Sequence, residues 1–306
     1  METTRMIVQS HPECAELFQS MMQKDQQLWR KFGGPMDVLK WLHNFSGDRE
    51  IYLALTLANG IIYYPLEQMR FLWNLILTNR VKLRLLEEVF GDGPLPPIDA
   101  WFSKYLRDKC VFAGYGPAGK SGHSQVYWFK QAHGFAGLRY FEFNQLLHEH
   151  ETLKGLERVF LLDDIVASGE QATAMWYRRF QGTSLNDISE ANPELRFMYL
   201  ALVGYDEGRR LVEKDTPMTV ILGDPLDECF RCFSELSTVY PDVAERDEAR
   251  KVMEEKGRML YPEHPLGYAN MQLAIAFHHN TPDNTLPVIW KRLLDGGWYP
   301  LFERFE

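Results

Sequence analysis

Residues 158–172, Arg-Val-Phe-Leu-Leu-Asp-Asp-Ile-Val-Ala-Ser-Gly-Glu-Gln-Ala, constrain this chain more than any other stretch. Val159 to Leu162 form an unbroken apolar run, the pattern of a strand buried on both faces of a parallel sheet. The run is expected to stop at Asp163 and Asp164, and ligands in open α/β sheets sit just beyond such strand ends. Ala167-Ser168-Gly169 reads as a tight turn into a helix over 170–180. A helix N-terminus entered this way offers backbone N–H groups and a positive dipole end, which suits a phosphate. Paired acids at the end of a buried run are costly unless something uses them, such as sugar hydroxyls or a metal.

With 306 residues the chain can build two domains with real cores. A net charge of −9 argues against wholesale nucleic-acid binding, although it leaves room for a local basic groove. No apolar stretch reaches membrane-spanning length and the N-terminus lacks signal-peptide features, so no membrane partner is expected. Cys14, Cys110, Cys229 and Cys232 are few and scattered, which points to a reduced, cytoplasmic location. Cys229-Phe230-Arg231-Cys232 has CxxC spacing, but no second ligand pair accompanies it, and a helix face is the expected setting.

Apolar residues at helical spacing predict helices over roughly 13–31, 35–45, 48–60 and 65–90, with Trp29 and Trp41 as core residues. This places an all-helical domain at 1–92, through which a protein partner could dock. Gly91-Asp92-Gly93-Pro94-Leu95-Pro96-Pro97 marks its boundary. After a helix from Ile98 to Asp108, strands and helices alternate, the mark of a parallel sheet. An α/β domain is therefore expected over 98–306, its last part, about 262–306, forming a hood or tail.

The first strand of that domain, Cys110 to Ala113, leads into Gly114-Tyr115-Gly116-Pro117-Ala118-Gly119-Lys120-Ser121-Gly122 and then a helix from His123. This fits GxxxxGK[ST], in which backbone N–H groups surround phosphates and a lysine neutralises them. Since Phe160 to Asp164 also resembles a Walker B strand, a P-loop ATPase using both segments is one reading. Gly119, Lys120, Ser121 and Gly122 are phosphate-binding candidates on any reading.

Leu195 to Val203 and Met218 to Leu222 are further buried strands. Asp224, just past the second, either points into the cleft or caps a helix. Near the C-terminus, Trp298 and Tyr299 are candidates for stacking on a base, with packing of this tail against the helical domain as the alternative.

The central segment resembles the phosphoribosyl diphosphate (PRPP) signature of type I phosphoribosyltransferases. That resemblance implies a mainly parallel sheet flanked by helices, with Asp163 and Asp164 meeting the ribose 2′- and 3′-hydroxyls directly or through Mg²⁺. It also implies a 5′-phosphate held by Ala167, Ser168, Gly169, Glu170 and Gln171, and a diphosphate held by the 114–122 loop with Lys120. The chain departs from the family where a second Gly and a Thr usually follow Ser168-Gly169. Together with Leu-Pro-x-x-Trp at 286–290 and Trp-x-Pro-Leu-Phe at 298–302, the motifs resemble a divergent bacterial branch associated with conflict and anti-phage defence. Three functions are implied: phosphoribosyl transfer with diphosphate release, a non-catalytic nucleotide sensor in the same pocket, and the P-loop ATPase. Glu170 and the missing Thr favour the sensor.

Overall fold

A computed structural model of the chain describes residues 4, 7–8, 10–29, 38–117, 121–293 and 296–304. Among them the strands are, in chain order, β1 (Ile62–Tyr64), β2 (Cys110–Gly114), β3 (Arg139–Phe141), β4 (Arg158–Val166), β5 (Arg196–Tyr205), β6 (Thr219–Leu226) and β7 (Ile275–Phe277). The chain divides into two compact units, Glu67–Leu226 and Met1–Leu66 with Asp227–Glu306. The Gly- and Pro-rich stretch at 91–97, read above as a domain boundary, is a connection inside the first of these units, between helices Lys82–Phe90 and Ile98–Lys109. Glycine and proline end a helix wherever it packs, so they mark a break in structure without saying which core follows.

Unit Glu67–Leu226 is an open five-stranded sheet in the order β3-β2-β4-β5-β6, with every neighbouring pair parallel. Phe197 to Tyr205 are all buried, as a strand covered on both faces requires. One face packs under Phe143, Leu146, Trp176, Leu185, Ile188 and Val212, from the helices that follow β3, β4 and β5. On the other face Phe112 meets Phe129 of helix Ser121–Ala132 at 5.0 Å between ring centroids, and Trp73 meets Phe129 at 5.4 Å. The expected helix over 65–90 forms as Leu66–Leu75 and Lys82–Phe90, joined through a π-helical segment, Ile76–Val81.

β5 and β6 end later than the sequence suggested. β5 continues to Tyr205, and β6 continues through Gly223, Asp224 and Pro225 to Leu226, so no helix starts at Asp224 for it to cap. β6 is an edge strand, where a proline without an N–H is tolerated. The helix after β4 ends at Tyr177, and Phe180 instead bridges Thr183.

The other unit is held by both ends of the chain. Helices Pro12–Gln27, Val38–Leu42 and Gly47–Asn59 form where helical periodicity predicts them, and Trp29 and Trp41 are buried. Trp41 Nε1–H donates to Val288 O (2.8 Å), Trp29 meets Phe302 edge-on at 5.2 Å, and Tyr240 O–H donates to Leu53 O (2.6 Å). β1 and β7 pair in parallel, Ile62 against Ile275. No helix among the described residues is long and apolar enough to cross a membrane.

Candidate functional site

In the sheet order, the chain steps from β2 to β3 on one side and then to β4 on the other. Open α/β sheets leave a crevice beyond the carboxyl ends of their strands at such a reversal. β2 ends at Gly114, opposite Leu162, whereas β4 runs on to Val166. Asp163 and Asp164 therefore lie in an overhang that β2 does not pair. The strand does not stop at these acids, as the sequence suggested, because β-branched Ile165 and Val166 continue the ladder with Val203 and Gly204 of β5. One consequence is that successive side chains alternate, so the two carboxylates leave the strand on opposite faces. Asp164 is buried and Asp163 half-buried.

Asp163 is the centre of a hydrogen-bonded network. Its Oδ1 accepts from Ser121 Oγ–H (2.6 Å) and from the Asp164 N–H (3.0 Å), and its Oδ2 accepts from Tyr199 O–H (2.9 Å). Desolvation first, and the neighbouring Asp164 charge second, raise the Asp163 pKa well above the usual carboxylate range, against these three donors. Burial likewise pushes the Tyr199 phenol up, so it stays protonated and donating. Tyr115 lies with its ring 4.7 Å from that of Tyr199, and its O–H donates to Ala172 O (2.6 Å) in the helix after β4. Tyr115 and Ser121 thus tie the 114–122 loop to both Asp163 and helix Glu170–Tyr177.

Glycines allow that loop to approach. A Cβ at Gly122 would overlap the Tyr115 backbone and come 2.7 Å from Leu162 O, so the first turn of helix Ser121–Ala132 lies directly on the ends of β2 and β4. Gly169 has φ +83°, a conformation other L-residues rarely adopt, and a Cβ there would come within 2.5 Å of Gly208 O. The 167–169 turn is thereby fixed against the first turn of helix Asp206–Asp215. Tyr177 O–H donates to Asp215 O (2.6 Å), so the two helices lie alongside with their N-termini at the carboxyl edge of the sheet.

The candidate residues sort by place. Asp163, Asp164, Ala167, Ser168, Gly169, Glu170, Gln171, Ser121 and Gly122 all lie at this edge, with Glu170 and Gln171 exposed. Gly119 and Lys120 lie outside the described residues. Asp224 is half-buried inside β6, paired in register with Val203. Trp298 and Tyr299 belong to the other unit. Trp298 is a core residue there, edge-on to Phe45 at 5.6 Å with its indole N–H donating to Val288 O, rather than an open stacking platform. The Tyr299 backbone and the Asn44 side chain bond to each other twice.

Tyr199 and Tyr115 were not singled out by sequence reasoning. A signal existed for Tyr199: a phenol inside a strand buried on both faces needs an acceptor, and the nearest carboxylates lie on the neighbouring strand. No group of three or more His, Cys, Asp or Glu suited to a metal occurs among the described residues. Because Asp163 and Asp164 leave β4 on opposite faces they form no joint cage, but either alone is the kind of carboxylate that Mg²⁺ takes together with ligand phosphates and water.

Several known proteins are similar to this chain. The AQ2163 protein from Aquifex aeolicus is 17% identical over 57% of this chain and 86% of that one, with a TM-score of 0.30. The xanthine-guanine-hypoxanthine phosphoribosyltransferase of Helicobacter pylori is 15% identical over 53% and 90%, with a TM-score of 0.28. The orotate phosphoribosyltransferase of Aeropyrum pernix is 16% identical over 48% and 71%, with a TM-score of 0.23. No curated protein matches significantly. The sequence pattern of the PRTase-CE family matches residues 38–304, so the chain belongs to this phosphoribosyltransferase-like family.

Proposed function

We propose that unit Glu67–Leu226 binds PRPP, or a nucleotide carrying the same ribose 5-phosphate, at the carboxyl edge between β2 and β4. The observation that carries this is the overhang of β4: two acids where β2 has ended, followed directly by the Gly169 turn into a helix N-terminus. The 167–171 turn would take the 5′-phosphate through backbone N–H groups. Asp163 and Asp164 would meet the ribose hydroxyls, directly or through Mg²⁺. Bound Mg²⁺ supplies positive charge for the departing diphosphate.

In the transferase form of this reading, the ribosyl C1–O bond to diphosphate breaks as an acceptor attacks. The sugar ring becomes cation-like, and the negative rim of Asp163 and Asp164 stabilises it. The three donors already on Asp163 support a second form, a receptor that recognises the nucleotide without turnover, because they commit much of that carboxylate's acceptor capacity to the fold. The Ser121–Asp163 bond also suits the P-loop ATPase reading.

Calorimetry with PRPP plus MgCl₂, and separately with ATP, tests all three. Selective PRPP binding supports the reading, and diphosphate release separates enzyme from receptor. ATP hydrolysis lost in Lys120→Ala but retained in Asp163→Asn refutes it. The resemblance to the conflict-associated branch extends the proposal to anti-phage defence, checked by plaque counts on cells carrying the wild type or Asp163→Asn with Asp164→Asn.

A further inference from the structure

The first turn of helix Ser121–Ala132 reaches two strand ends at once. Ser121 bonds Asp163 of β4, and His123 Nδ1 lies 3.1 Å from Glu142 Oε2, immediately after the last residue of β3. Phe141 is in register with Ala113 and Gly114 with Leu162, so Glu142 stands level with the end of β2 and close to the level of Asp163. Two inter-strand spacings separate the backbones of β3 and β4, about 10 Å. Glu142 and Asp163 thus flank the end of β2 from opposite sides, with His123 and Ser121 of one helical turn bonded to one each. His123 and Glu142 are both accessible, with side chains 50% and 65% exposed.

We infer that His123 and Glu142 form the proton-accepting dyad of this site, acting on the nucleophile that attacks the ribosyl C1. This rests on the PRPP reading above and assigns the acceptor its class, a nitrogen nucleophile that carries a proton. A carboxylate can only accept, so Nδ1 of the imidazole holds the hydrogen facing Glu142 and Nε2 keeps its lone pair. The nitrogen of the acceptor forms its bond to C1 as the C1–O bond to diphosphate breaks, its electron pair leaving with the diphosphate. The acceptor's proton passes to His123 Nε2. Glu142 stabilises the resulting imidazolium, the role of the third group in any nucleophile–base–orienter arrangement. Asp163, held by Ser121 of the same helical turn, is the further carboxylate of this rim, and its bonds to Ser121 and Tyr199 fix its position.

The test uses the full chain with PRPP and MgCl₂, offered guanine, hypoxanthine, orotate and water as acceptors, with diphosphate release as the readout. His123→Gln is expected to lower kcat by about 100- to 1,000-fold, within the range of general acid–base catalysis, while KM for PRPP and the calorimetric Kd stay within twofold. Glu142→Gln is expected to lower kcat about tenfold, with KM for PRPP likewise unchanged. Glu142 also caps helix Phe143–His148, and Gln keeps an acceptor oxygen for that cap, so at most small changes in melting temperature are expected and confirm that the variants fold. His123→Gln with wild-type kcat overturns the dyad and leaves PRPP binding standing. PRPP binding without diphosphate release from the wild type with any acceptor also overturns the dyad and selects the receptor form. Failure of the wild type to bind PRPP overturns the PRPP reading, and the dyad with it.

Discussion

Asp163 is held by three hydrogen bonds of the fold at the position where ligand binding is proposed. Its pKa is raised, so the native state binds a proton more tightly than the unfolded chain does. That contribution to stability is complete at low pH and is lost as pH rises above the usual carboxylate range through the raised value. Asp163→Asn keeps an acceptor oxygen but cannot ionise. The variant should therefore gain melting temperature relative to the wild type as pH goes from about 5 to about 8, measured without ligand or Mg²⁺. A difference that stays constant with pH refutes the assignment. Tyr199→Phe deletes one donor and leaves the shape intact; a loss on the order of 1–2 kcal/mol in denaturant unfolding is expected, together with weakened PRPP binding. Of these two residues the sequence disclosed only the acid. Asp163 interrupts an apolar run and is conspicuous, whereas Tyr199 sits in a run where an aromatic residue looks like ordinary core, and its partner is on another strand.

Among the elements, the turn after β4 and the helix after β5 depend on each other through two glycines. A Cβ on Gly208 would overlap Ala167 O, and one on Gly169 would crowd Gly208 O at a positive φ. Gly208→Ala is expected to push the 167–169 turn out of place, lowering stability by about 1–3 kcal/mol and weakening ribose 5-phosphate binding at least tenfold by calorimetry. Unchanged binding in a folded Gly208→Ala protein argues against the turn as the phosphate seat. The buried strands β4 and β5 and the helix starts were legible because apolar runs and Gly-containing turns are local signals. Strand ends were less so: β4 and β6 run past charged and turn-forming residues because the neighbouring strand continues to supply partners, which no local pattern reveals.

Across the whole molecule, the unit holding the N-terminal helices is closed by residues from 227 onward. Trp29 and Trp41 could be read as core, but what they are core against, Phe302 and Val288, lies far along the chain. The short run at 62–64 likewise gave no hint of β7, since three residues are too few to show a period. A peptide of residues 1–66 is expected to lose most of its helical circular dichroism in isolation and to regain it on mixing with a 227–306 fragment. Full helicity in the isolated peptide would show that its partners are dispensable.

The parallel pairing of β1 with β7 also orders events during synthesis. The early helices emerge from the ribosome long before the segment that covers their apolar sides, while the five-stranded sheet is completed in between. Until the last stretch is released, those helices must be shielded by something other than their native neighbours, so a chain stalled late in translation would be a target for chaperones and proteases at its beginning rather than its middle.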